Sequence, residues 1–261
     1  MNFENIKVSN FEGAFRGMRN PKESWSKSDS FFGLISIEDD EHDFEVARDW
    51  VAANVSSKDE EEYDRWLIQN GILNVDYDHQ IADVAFIGPN DMKLAKALIK
   101  GGTEHRKFLR QILVSVDITA PIFWYKEFDT YKIGTTANST STMHKLADTP
   151  ITLECFEIGD LDASLCYPIP DYINWLEWLR TQYKQTKDKK FWKELIRWLP
   201  EGWLQTRTVT MNYENVRSML HQRDNHKLIE WSKKPEEGNI ELDSFYKFAK
   251  TLPYADDLLF E

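Results

Sequence analysis

Residues 101–145 read GGTEHRKFLRQILVSVDITAPIFWYKEFDTYKIGTTANSTSTMHK, and their order of parts decides the fold. Val114, Val116 and Ile118 alternate with Ser115, Asp117 and Thr119. That period of two predicts a half-buried strand. Thr119 is placed to cap a following helix, with Pro121 in its first turn, where a missing N–H costs nothing. The helix carries Lys126, Glu127, Asp129 and Lys132 among Phe123, Trp124, Phe128 and Tyr131. It empties into a polar run, 134–142, expected to be a loop. Nine small or polar residues between apolar elements are either a surface turn or a nest of backbone N–H groups around an anion. Hydroxyls gain from burial only when partnered, and a phosphorylated ligand would partner them.

Working outward, 1–35 reads as an irregular opening, with turn chemistry and two cations at Arg16 and Arg19. Two acidic helical segments are expected at 43–54 and 59–69, stopped by Asn70-Gly71. Residues 81–87 are a strand or a helix end. Gly88-Pro89-Asn90-Asp91 opens a helix that Gly101-Gly102 closes. Beyond the central stretch, 151–157 predicts a strand. Asp171 predicts a helix with Tyr172, Leu176, Leu179 and Tyr183 on one face. A solvated basic linker, 184–190, precedes an amphipathic helix at 191–199. A short strand at 207–211, a long helix at 212–233 and a last helix at 244–252 complete the chain. The fold class expected is α+β, a mainly antiparallel sheet flanked by helices. Residues 1–90 are expected to be an N-terminal extension and 91–261 the core.

Composition narrows the function. The 261 residues are 41% hydrophobic, 29% charged and 13% aromatic, which excludes disorder as a whole. A net charge of −12 speaks against a duplex-DNA partner, whose proteins show a basic footprint. No apolar run has the length of a membrane span, and the first residues lack the pattern of a signal peptide. Cys155 and Cys166, with no CxxC, read as free thiols in a reducing compartment, so a cytoplasmic location is expected.

The sequence of Glu104-His105, strand, Pro121-Ile122-Phe123, charged helix and Asn138-to-Ser141 resembles the flavin-dependent thymidylate synthases. There an EH pair precedes a strand, PIF follows, and the motif is RHRxxSxNExSxR. With one extra residue allowed, Thr136 falls on the first Ser, Asn138 on the Asn and Ser141 on the second Ser. Thr130, Tyr131 and Lys132 stand where that family has RHR, Glu127 replaces a Gln, Ser139 the Glu and Met143 the final Arg. A weaker echo spans 217–231, the family's late nucleotide-binding helix, with Arg223 the nearest match to its arginine. The resemblance implies FAD bound by Glu104, His105, Lys132, Thr136 and Asn138. It implies a pyrimidine nucleotide, dUMP or a relative, bound by Glu127, Ser139, Ser141 and Arg223. It also implies a homotetramer with flavin sites shared between subunits, and folate and NADPH if the chain is active. No catalytic side chain is assigned, because flavin and folate carry that chemistry. The lost arginines imply one-carbon transfer that is weak, altered or absent. A non-catalytic nucleotide-binding or assembly protein is the alternative.

Other features have ordinary readings beside functional ones. Five acids around His42, at 38–43, are a divalent-cation cluster or solvated surface, and no metal site is assigned. His144 is a proton shuttle or a hydrogen-bonded structural histidine. Arg217, His221, Arg223, His226 and Lys227 form a basic stripe that contacts phosphate or pairs with local acids. Arg16, Arg19, Arg106, Lys126 and Lys132 are candidates to replace the missing cations.

Overall fold

The computed structural model describes residues 1–36, 70–76, 78–79, 81–159, 162–165, 168–232 and 244–261. In chain order these form β1 (Asn2–Ser9), α1 (Phe11–Arg19), β2 (Phe31–Ser36), β3 (Ile72–Asp76), β4 (Ile81–Phe86), α2 (Pro89–Lys100), β5 (Leu113–Pro121), α3 (Ile122–Phe128), β6 (Thr136–Ser139), α4 (Thr142–Lys145), α5 (Ile169–Thr186), α6 (Lys189–Arg197), β7 (Leu204–Asn212), α7 (Tyr213–Arg223), α8 (Ile229–Ser232), α9 (Phe245–Lys250) and α10 (Ala255–Leu258). The acidic segments and the His42 cluster lie outside the described residues, as does Cys166.

Two antiparallel sheets organise the described residues. The larger has the order β1-β5-β7-β6 and the smaller β2-β4-β3. β5 sits centrally because its alternation satisfies both faces. Val114, Val116, Ile118 and Ala120 are buried, and β7 places Met211 and Val209 opposite the first two. Trp124, Tyr213, Met219, Phe245 and Leu258 cover this face with helical side chains. Removing a buried Ile or Leu from such a core costs about 2–5 kcal/mol. The other face is polar. Ser115, Asp117 and Thr119 on β5 stand opposite Thr210, Thr208 and Thr206 on β7. Asp117 accepts hydrogen bonds from Thr208 (2.5 Å) and from Asn5 (2.7 Å), which hold its carboxyl below the usual range.

The opening residues are regular where the sequence predicts irregularity. β1 pairs with β5, with a register shift between Glu4 and Lys7, and only Val8 of the strand is buried. The smaller sheet is tied to β1 by the side chain of Asn74. Asn74 accepts from the Val8 N–H (3.0 Å) and donates to the Val8 carbonyl (2.7 Å), so its amide mimics a neighbouring strand.

α2 starts as predicted, at Pro89 after an extended Gly88, and its end is capped by Gly101. Its first turn is completed from outside. The Asp29 carboxylate accepts the N–H groups of Asn90 (2.9 Å) and Asp91 (3.1 Å), which suits the positive end of the helix. A Cβ at Gly88 would fall 2.4 Å from the Asp29 carbonyl, so only glycine fits. Asp91 is fully buried and accepts from Arg19 Nε (2.5 Å), Ser28 (2.6 Å) and Ser30 (2.6 Å).

Several boundaries differ from expectation. β5 continues to Pro121 because β7 pairs with it as far as Leu204, so Pro121, not Thr119, precedes α3. Residues 151–157 hold a short 3₁₀ turn at Leu153–Cys155 and one bridge, Phe156 to Trp203, rather than a strand. The expected basic linker shrinks to two residues between α5 and α6, since Asp188 caps α6 by accepting from the Lys190 N–H. The long helix at 212–233 ends at Arg223 and resumes as α8. After α9, capped by Ser244, a further helix follows Pro253. A second small core of Leu146, Ile151, Phe156, Ile173, Leu176, Leu179 and Leu195 sits under the α5–α6 hairpin.

Candidate functional site

α3 is short, and its chemistry lies at its C-terminal end. Trp124, Tyr125 and Phe128 face inward, leaving Glu127 and Asp129 at the rim. Each of these carboxylates holds one arginine delivered by a later element.

The first is Arg207 on β7. Its register partner is Ser139 on β6, so the two side chains share a face. The guanidinium carbon lies 3.8 Å from the centre of the Tyr125 ring, a close cation–π stack. Nη1 donates to Asp129 (2.8 Å) and Nε to Gln205 (3.0 Å). Among the described residues, Nη2 makes no hydrogen bond. The ring below is fixed by the Tyr125 hydroxyl donating to the Ile118 carbonyl (2.5 Å), and burial pushes that phenol up, so it remains a donor. The result is a pre-oriented planar cation with an open edge beside a hydroxyl-bearing strand.

The second is Arg223, at the end of α7. Its Nη1 is 2.8 Å from Glu127 Oε2, and His226 Nε2 is 3.0 Å from the same oxygen. Both contacts are at ion-pair distance, and that buried oxygen accepts no well-aligned hydrogen bond among the described residues. Arg223 Nε donates to the Tyr131 hydroxyl (3.0 Å), which itself donates to Gln222 (3.2 Å). The guanidinium lies 5.4 Å from the Trp231 ring and 5.7 Å from that of Tyr131. The Leu228 N–H donates to His226 Nδ1 (3.1 Å). The neutral ring therefore carries its proton on Nε2, facing Glu127.

The expected loop at 134–142 contains a strand. β6 pairs with β7 from Thr136 opposite Thr210 to Ser139 opposite Arg207, and all four of its residues are exposed. Gly134 turns the chain into it at φ +84°, with Asn215 Nδ2 donating to the Ile133 carbonyl (2.7 Å). Thr136 and Asn138 lie on the polar face of the sheet with Thr208 and Thr210, and Ser139 lies on the other. Ser141 caps α4 by accepting from the His144 N–H (3.2 Å), and its hydroxyl also meets His144 Nδ1 (2.7 Å). His144 is thereby partnered within its own turn. Lys132 is exposed and makes no ion pair among the described residues.

Glu104 and His105 lie elsewhere. They line a cavity of about 560 Å³ with Met18, Leu94, Leu98 and Phe108 on its apolar side. Lys132, Thr136 and Asn138 do not border it, so one chain does not gather these five residues. Most of the alternative cations are already engaged. Arg19 pairs with Asp91, Arg106 with Glu214 (2.8 Å) and Lys126 with Glu201, while Arg16 lies 5.8 Å from the Trp25 ring. Arg207 was missed because in sequence it is one polar position in a strand. Only the pairing of β6 with β7 brings it to Ser139. Among the described residues, no group of three His, Cys, Asp or Glu is arranged to hold a metal, and no helix is long and apolar enough to cross a membrane.

No protein-family model and no curated sequence matches the chain. Solved structures do. Thymidylate synthase X from Helicobacter pylori, crystallised with FAD and dUMP, superposes with a TM-score of 0.57 at 13% identity, covering 99% of this chain and 98% of that one. A second structure of the flavin-dependent enzyme from the same organism, complexed with FAD and dUMP, gives 0.52 at 13% identity over the same shares. From end to end, this chain has the fold of the flavin-dependent thymidylate synthases.

Proposed function

We propose that the chain is a divergent thymidylate synthase X-like protein that binds a pyrimidine nucleotide, with one-carbon transfer to dUMP weak, altered or lost. The observation that carries this reading is the end-to-end likeness to structures that hold dUMP and FAD. The local geometry supports it. Arg207, stacked and with an open edge beside Ser139, fits one face of a phosphate. Arg223 supplies a second cation, and Ser139 and Ser141 supply hydroxyls.

Two of the three positions that stand where the family has RHR, Thr130 and Tyr131, are used inside the fold. The Thr130 hydroxyl donates to the Glu127 carbonyl (2.7 Å), and Tyr131 takes the Arg223 Nε–H. Charge-assisted hydrogen bonds are worth roughly 1.5–3 kcal/mol each, so two unreplaced arginines represent several decades of affinity. This favours the second reading, a nucleotide-binding or assembly protein that keeps the fold without the reaction.

The residues assigned to FAD divide into two groups, Glu104 with His105 and Lys132 with Thr136 and Asn138. They fit FAD only in a site shared between copies, as the resemblance implies, so flavin binding and a homotetramer stand together in this proposal. When bound, FAD would supply redox chemistry that no side chain here offers. A cytoplasmic location belongs to the same reading.

The test is direct. Purified protein that retains flavin absorbs in the visible and is yellow. A thermal-shift screen with dUMP, related nucleotides and FAD should show stabilisation, about 2.7 kcal/mol for a ligand at a hundred times its dissociation constant. Absence of any shift with every nucleotide would remove the proposal. Robust tritium release from labelled dUMP with folate and a reductant would show an active synthase and remove the non-catalytic reading.

A further inference from the structure

The α5–α6 hairpin carries an aromatic strip that the nucleotide site does not use. Trp175 and Trp178 are one helical turn apart on α5, 37% and 49% exposed, and Trp198 just past α6 is 49% exposed. Across the hairpin the rings form two successive pairs, which make up the row. Trp198 lies 6.3 Å from Trp175 and Trp178 lies 5.7 Å from Phe191, both edge to face. The row ends on Lys190, whose Nζ lies 4.9 Å from the Phe191 ring centre and 3.1 Å from the Asp188 carboxylate. Beside it, Lys184 near the end of α5, Lys187 in the turn and Lys189 at the start of α6 are exposed. From Ile169 to Leu199 the chain has seven arginines and lysines against four carboxylates, in a molecule of net charge −12.

We propose that this strip binds single-stranded nucleic acid, its indoles stacking on bases and its lysines following the backbone. Three observations favour that occupant. The exposed apolar groups of the row are flat rings, which suit bases. The cations continue the strip rather than opposing it. The local charge is opposite in sign to that of the whole molecule, so a polyanion is drawn to the hairpin and repelled elsewhere. Duplex DNA fits less well, because stacking requires unpaired bases. The polar neighbours Asn174, Thr181, Gln182 and Gln185 weigh against insertion into lipid.

The experiment is fluorescence anisotropy of a labelled short oligodeoxythymidine and its RNA counterpart with the full chain, at low and at physiological salt. Binding is expected, weaker at the higher salt. Trp175→Ala with Trp178→Ala should weaken it by roughly tenfold or more. Lys187→Glu with Lys189→Glu, at exposed positions that leave the fold intact, should weaken it and flatten the salt dependence. The inference is overturned if the oligonucleotide does not bind, if both variants bind as the parent does, or if a duplex of the same length competes equally. It is also overturned if only phosphatidylserine vesicles bind, or if the tryptophan pair changes nothing but the mass by light scattering. The nucleotide screen reads a different site, so failure here leaves that result standing.

Discussion

At the scale of single residues, charge is rarely left unopposed. Asp91, the most buried carboxylate among the described residues, satisfies Arg19 and two serines at once. Asp91→Ala should destabilise the protein by about 3–5 kcal/mol in urea unfolding, because it strands a buried guanidinium. Arg207 is placed for a different purpose, held in plane by Tyr125 and Asp129 with an edge free. Arg207→Met should lower nucleotide affinity about tenfold or more by calorimetry, with a much smaller change in melting temperature. Asp83 offers a pH test. Burial pushes its carboxyl up, and the Asn74 amide only partly offsets this. The folded state then holds the proton more tightly than the unfolded one. Stability contributed by this group falls as pH rises from the ordinary carboxylate range through the raised value. Asp83→Asn should therefore stabilise the protein at neutral pH in thermal melts. The gain should vanish in acid, where both forms are neutral.

At the scale of elements, legibility followed burial. β5 was plain in the sequence because four inward apolar residues alternate with polar ones, and α2 because glycines and proline punctuate both ends. β1 and β6 were not legible. β1 buries only Val8, and β6 buries nothing, so neither shows an apolar period. Their identity as strands comes from partners far along the chain. The same reason hid Arg207, whose neighbour Ser139 is distant in sequence. Arg223 and Glu127 were legible as site candidates, but not as partners of each other. The turn into β6 is a point of strain that can be probed. A Cβ at Gly134 would lie 2.8 Å from Asn212 Nδ2 and Asn215 Oδ1, at a positive φ. Gly134→Ala should cost about 1–3 kcal/mol and speed amide exchange at 136–139, because it disturbs both the turn and the reciprocal hydrogen bonds by which Asn212 and Asn215 cap the start of α7. Unchanged exchange there would mean that β6 does not depend on this turn.

At the scale of the whole molecule, one face of the larger sheet is packed and the other is lined with threonine, serine, asparagine and aspartate. Ile133, 91% exposed, stands at the entry to the open edge strand β6. An oligomer would cover such an edge. Light scattering at micromolar concentration is expected to give a mass near four chains, and a monomer would remove both the tetramer and the shared flavin site. The junction between the two sheets has a simpler consequence. Among the described residues the Val8 peptide is clasped on that side by the Asn74 amide, so parting of the sheets frees its proton. Val8 is thus a built-in gauge. Its exchange rate measures how often the small sheet undocks, and a nucleotide that tightens the whole molecule would slow that one amide even from a site at the far edge of the fold.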